Sequence, residues 1–276
     1  MQIRTPAAAG MFYPGQANQL KQIIQECVSH QYGPKESTFE QENILGVICP
    51  HAGYMYSGPI ACHSFKSVIS KNPELFIIVG PNHWGLGCNV AIMKDCQWET
   101  PLGLVDVDSD ASQELKEISN LFEVDFFSHT KEHSIEVQIP MIQEFFSYKF
   151  KILPIALINQ DKDTSTKVGH AMAKIAKKKN AMIIGSSDFT HYEPNEFAHK
   201  QDKALIETIL KMDIDEFYKV LKEKNVTACG YGAIASTMIA CKDLGATKGT
   251  LLKYATSGDV SGEKTSVVGY GSIVFN

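Results

Sequence analysis

An α/β fold, one sandwich of helices around a largely buried, mixed but mainly parallel central sheet, is what this chain predicts from three observations. Short runs of apolar residues occur without polar alternation: Ile44-Leu45-Gly46-Val47-Ile48-Cys49, Leu75-Phe76-Ile77-Ile78-Val79 and Ala181-Met182-Ile183-Ile184. Such runs read as strands covered on both faces. Each is followed by a tight turn marked by glycine or proline, and stretches of helical periodicity separate them. The third observation is bulk: 276 residues with 44% hydrophobic and 21% charged content suit a single domain over residues 1–276 with one substantial core.

The elements follow in order. A loop-rich start leads to a helix over 17–30, and Tyr32-Gly33-Pro34-Lys35-Glu36-Ser37-Thr38 reads as a linker before the 44–49 strand. A helix near 58–71 precedes the 75–79 strand. An antiparallel excursion is expected over 88–107, marked by Trp98 and the turn Pro101-Leu102-Gly103. Ile135, Ile139, Ile142, Phe145 and Phe146 share one helical face. Then come a strand at Lys151–Leu157, a helix over 164–178, the 181–185 strand, helices over 197–211 and 213–223, and a helix over 232–243 stopped by Gly245. Strands near 250–256 and 266–275 close the chain. Right-handed crossovers would open the loops after the parallel strands on one sheet edge, where ligand sites form.

A formal charge of −5 gives no electrostatic footprint for nucleic acid, and the basic run Lys174-Ile175-Ala176-Lys177-Lys178-Lys179 reads as a solvated helix end. No stretch approaches about 18 consecutive apolar residues, and no basic start followed by an apolar run opens the chain. A cytoplasmic protein that neither enters a membrane nor binds nucleic acid is expected. Seven widely spaced cysteines without a C-x-x-C pair form neither a disulfide framework nor a zinc ribbon.

Three histidines occupy the same position, just after a buried strand: His51 in Pro50-His51-Ala52-Gly53-Tyr54, His83 in Gly80-Pro81-Asn82-His83, and His191 in Ser186-Ser187-Asp188-Phe189-Thr190-His191. Their convergence would serve metal ligation or acid/base chemistry, and the stiff turns around His51 and His83 suit ligands that must be held in place. Asp188 is placed to orient His191 by accepting its second N–H, or else to cap a turn. In Glu132-His133-Ser134-Ile135-Glu136, a helix would set His133 and Glu136 on one face, lining a pocket or pairing at the surface. Cys229, in Ala228-Cys229-Gly230-Tyr231-Gly232, precedes a helix whose macrodipole would favour its thiolate, the form that binds metal.

Seven motifs in order along the chain resemble the Memo family, also called AmmeMemoRadiSam system protein B: the opening Arg4-Thr5-Pro6-Ala7-Ala8-Ala9-Gly10-Met11-Phe12-Tyr13-Pro14, the His51, His83 and His191 motifs, Glu132-His133-Ser134-Ile135-Glu136-Val137-Gln138, Cys229-Gly230-Tyr231, and the closing Val267-Val268-Gly269-Tyr270. That family is similar in fold to the class III extradiol ring-cleaving dioxygenases. The resemblance implies that His51 and His83 are metal ligands, with Cys229 where the dioxygenases have a glutamate. It implies that His191 is the acid/base histidine, with Asp188 and His133 beside it. A divalent or redox metal, iron first and copper or zinc as alternatives, would serve a metal-dependent oxidoreductase acting on a small molecule. The resemblance also extends to a binding protein that keeps the sheet-edge cleft for a small ligand or a phosphopeptide, and a zinc hydrolase is a third reading.

Overall fold

The three apolar runs lie side by side at the middle of one sheet, in a computed structural model that describes residues 2–35 and 43–276. The strands are β1 (Gln2–Arg4), β2 (Gly46–Cys49), β3 (Leu75–Pro81), β4 (Val90–Ile92), β5 (Cys96–Thr100), β6 (Gly103–Val107), β7 (Glu123–Val124), β8 (Lys151–Leu157), β9 (Ala181–Ser186), β10 (His191–Glu193), β11 (Gly249–Thr256) and β12 (Val267–Phe275). Along the sheet the order is β1-β5-β6-β8-β3-β9-β2-β12-β10, with β11 on β12 and with β4 on β8, where it also pairs β7. The pairs β6–β8, β8–β3, β3–β9 and β9–β2 are parallel, and β12 runs antiparallel to β2.

Helices cover both faces: α1 (Ala17–Ser29), α2 (Tyr54–Ser67), α3 (Ser109–Ile118), α4 (Gln138–Phe145), α5 (Lys162–Lys178), α6 (Asn195–Leu210), α7 (Ile214–Glu223), α8 (Tyr231–Asp243) and α9 (Ser257–Ser261). The alternation of Cβ directions along a strand divides the core. Phe76 and Ile78 of β3 face Leu20, Phe65 and Ile142 of α1, α2 and α4, while Leu75, Ile77 and Val79 face Leu115, Val168 and Ala233 of α3, α5 and α8. A third cluster joins Ile48 and Ile273 to Leu205, Phe217 and Met238 beneath α6, α7 and α8. Every residue of β3 is buried, as a strand without polar alternation requires.

The excursion over 88–107 contains the β5–β6 hairpin, turned at Gly103 with φ +120°, a backbone region costly for residues with a Cβ. Two departures have local causes. Residues 135–137 form turns, and the helix begins only at Gln138. Helix α3, not anticipated from periodicity, is started by the Asp108 carboxylate, which accepts the Ala111 N–H at 2.9 Å. Of the expected linker over 32–38, residues 36–38 lie outside the described residues.

Because β3, β9 and β2 are adjacent and parallel, the loops after them open together. Cys49 pairs with Ser186 in register, so His51 and Asp188 leave the sheet side by side.

Candidate metal centre

His51 is the hub of the site. It is buried, and its backbone N–H donates to Asp188 Oδ1 at 2.8 Å. Its ring Nδ1 lies 2.9 Å from Ser186 Oγ. Ser186 Oγ donates its single hydrogen to the Ser134 carbonyl at 2.6 Å and accepts from Gln138 Nε2 at 2.9 Å. The hydroxyl has no hydrogen left for the imidazole, so the hydrogen-bond network assigns the proton of His51 to Nδ1. The Nε2 lone pair therefore points at Cys229 Sγ, 3.1 Å away. Burial, then the neighbouring His83, His133 and His191, push the His51 pKa well below its ordinary value, so the ring is neutral at neutral pH and no proton competes for that lone pair.

His83 is held by Glu132. Its Nδ1 donates to Glu132 Oε1 at 2.9 Å and its backbone N–H to Oε2 at 2.6 Å, which leaves Nε2 for a ligand. Burial alone would raise the Glu132 pKa, but the hydrogen bond and charge of His83, with His133 and the Ser134 N–H, outweigh it and bring it down to about 2. His133 completes the cluster: its ring stacks on His83 with centroids 4.6 Å apart, meets His51 at 5.5 Å, and carries Phe12 against it at 4.3 Å. Burial brings its pKa down to about 4.

Two groups of donors result, each with ligand atoms within 4.8 Å of one another: His51, His83 and His133, and His51, Asp188 and Cys229. His51 belongs to both, whereas the expected set of His51, His83 and Cys229 is neither of them, since His83 and Cys229 stand in different groups. The donor set fits a transition metal: the imidazoles of His51 and His83, whose Nδ1–H groups are engaged, with that of His133, beside a thiol. A groove of about 620 Å³ between α6 and β11 is slightly larger than the cavity of about 580 Å³ beside His83 and His133, but its lining contributes to neither group.

Three expectations need correction. Asp188 does not accept from His191 Nδ1. That atom lies 2.7 Å from the Phe189 carbonyl and 3.0 Å from the Thr227 carbonyl, while Asp188 holds the His51 backbone. Carbonyls of the turn itself and of the segment before Cys229 do what was assigned to the carboxylate. Burial raises the Asp188 pKa to about 6, although His191 and the His51 and Ala52 N–H groups oppose the shift.

His133 and Glu136 do not share a helical face, because no helix forms before Gln138. Glu136 turns away into a buried network, pairing with Arg4 and accepting from Tyr13 Oη at 2.5 Å and from the Ala7 and Ala8 N–H groups, each at 2.8 Å.

Cys229 is not set up as a thiolate by its helix. Burial, followed by the charge of Asp188, raises its pKa, and these effects exceed the macrodipole at a position two residues before α8. The metal-free protein is expected to label slowly at Cys229 with iodoacetamide at pH 7, the rate climbing as pH rises. Peptide mapping checks this, and rapid labelling at pH 7 would mean that the macrodipole prevails.

Gly230 lets the Cys229 segment approach the sheet. A Cβ there would stand 2.4 Å from the Ser186 carbonyl oxygen, so only glycine permits this contact. Beside His191, Tyr192 has φ +62°, unusual for a bulky residue, in a bulge against β12, and the residue is 79% exposed. Ser186, Gln138 and Glu132 were not singled out from the sequence. Only the adjacency of Glu132 to His133 could have flagged one of them.

The fold and site define a mixed-sheet α/β protein with clustered histidines and a thiol at the carboxyl edge of its central strands. A family model described as Memo-like protein matches residues 4–274, and the chain belongs to the Memo family. It is 62% identical over 273 residues to a MEMO1 family protein of Nitrosopumilus maritimus, with 99% of each chain covered. A MEMO1 family protein of Methanocaldococcus jannaschii is 44% identical over 285 residues, covering 99% of this chain and 98% of that one. The crystal structure of an uncharacterized protein from Escherichia coli K12 superposes with a TM-score of 0.56 at 11% identity, covering 85% of this chain and 100% of the other, a likeness of fold alone.

Proposed function

We propose that the protein is a metal-dependent oxidoreductase that binds its ion through His51 and His83, with Cys229 completing the set, and acts on a small molecule in the cleft. The observation that carries this reading is the single tautomer of His51: Ser186 holds its Nδ1–H, and Nε2 stands between the imidazole cluster and the Cys229 thiol. The ion, iron first with copper as the alternative, would supply a Lewis-acidic centre with one-electron chemistry.

The chain's own residues do the rest. Glu132 orients His83, Asp188 pins the turn that carries His51, and Cys229 would hold an ion as its thiolate, its proton leaving on binding. His191 keeps its Nδ1–H on two carbonyls, which leaves Nε2 to take or give a proton. It belongs to neither donor group, yet lies near enough to influence the titration of His51 and Asp188. His191→Ala is therefore expected to retain metal while losing turnover by about 10²-fold, the scale of acid/base catalysis. Elemental analysis beside dioxygen uptake checks it, and loss of metal would make His191 a ligand.

Three imidazoles within 4.8 Å favour one second reading, a zinc hydrolase in which His133 takes the place of Cys229. Elemental analysis of protein purified anaerobically, without chelator or affinity metal, tests both. Iron or copper whose retention needs Cys229 supports the first reading, zinc whose retention needs His133 supports the second, and protein without stoichiometric metal contradicts both.

A further inference from the structure

Just outside His83 and His133 lies a cavity of about 580 Å³, within the range of small-ligand sites, whose walls include Met11, Phe12 and Trp84. Met11 and Trp84 are exposed at 76% and 56%, an apolar surface that a soluble protein gains nothing by displaying unless something covers it. At its rim the Lys131 ammonium stands 5.4 Å from the centroid of the Trp84 ring, and among the described residues it makes no ion pair. The carboxylate nearest in sequence, Glu132, is buried beneath and already engaged by His83. The cavity thus offers an apolar body site, one uncompensated cation at its edge, and two imidazoles at its inner end.

We propose that this cavity seats a small amphipathic anion, with its apolar body against Met11, Phe12 and Trp84 and its carboxylate-type end on Lys131. The opposite end of the body then faces His83 and His133. That this anion is the substrate rests on the metal-dependent reading above; that it binds here rests on the cavity alone. An extended polypeptide fits less well, because a single cation at the rim of the cavity reads one charge and its lining offers no strand edge.

The test pairs two probes with the same body, 4-phenylbutyrate and 4-phenylbutanol, titrated calorimetrically into the full-length protein. Trp84 supplies the location: the chain has two tryptophans and Trp98 is fully buried, so a change in emission lost in Trp84→Phe places the probe in the cavity. Phenylbutyrate is expected to bind about five- to tenfold tighter than the alcohol, the scale of one charge-assisted contact at a partly exposed site. Lys131→Met should abolish that preference and leave the alcohol's affinity unchanged. Both substitutions are at exposed positions, and circular dichroism confirms the fold.

Equal affinities for the two probes, or a preference that survives Lys131→Met, would overturn the proposal. So would a preference lost on chelation but not in Lys131→Met, since the carboxylate would then sit on an ion. A Lys131-dependent preference in protein that elemental analysis shows to be metal-free sustains the anion site and contradicts only the metal-dependent function. Stoichiometric metal without the preference contradicts only the anion site.

Discussion

Glu136→Ala is expected to lower stability by about 3–5 kcal/mol, because it leaves the Arg4 guanidinium buried without its counter-ion. Both side chains are buried, at 1% and 0% exposure, and the carboxylate also holds Tyr13 and the Ala7 and Ala8 N–H groups. At about 2–4 °C per kcal/mol for a chain of this size, the fall in Tm is on the order of 10 °C. Burial, then the Glu136 charge, raises the Tyr13 pKa, so the phenol stays protonated and keeps donating to the carboxylate. The paired replacement Arg4→Met with Glu136→Leu should recover part of the loss, since no unpaired charge remains. Thermal denaturation of the single and double variants checks this. A Glu136→Ala protein within 1 °C of the parent would show that the guanidinium finds other partners, the His129 and Glu132 carbonyls it already contacts being the first.

The second large effect concerns metal. His51→Ala and His83→Ala are each expected to lower metal occupancy by tenfold or more, given that losses of about 10–100-fold follow even from removing a group that only orients a ligand. His51→Ala should be the more severe, because its Nε2 belongs to both donor groups and His83 to one. Elemental analysis at matched protein concentration decides. Unchanged metal in both variants would remove these histidines from the site.

What the sequence makes legible is what local pattern controls. The strands around Val47, Ile77 and Ile183 announce themselves because burial on both faces removes polar residues from them, and the turn after β2 shows in Pro50 and Gly53, whereas Gly80 and Pro81, which read as a turn, continue β3 in register with β8. The identity of partners is another matter. Asp188 sits three residues from His191, and that proximity invites a pairing, yet the register of β2 beside β9 gives its carboxylate to the backbone of His51 instead. Glu136 reads as a neighbour of His133 and turns out to be the anchor of Arg4, 132 residues earlier. The tautomer of His51 depends on Ser186, Ser134 and Gln138, three residues from two distant segments, each unremarked in its own surroundings. The burial that raises the Cys229 thiol is likewise a property of the folded environment, whereas the helix that follows it is visible in sequence.

The latch formed by residues 4–13 also sets an order of events during synthesis. This segment leaves the ribosome well before its anchor at Glu136, which follows more than a hundred residues later, and Cys229 emerges later still. Until then the opening segment has no carboxylate to hold, Phe12 has no His133 ring to pack against, and the cleft has one open side. Loop closure over such separations is slow compared with helix formation. The segment over residues 4–13 can therefore be fixed over the cleft only after Glu136 and His133 have been made, and bulk attached immediately before Gln2 would burden that docking step more than equal bulk attached after Asn276.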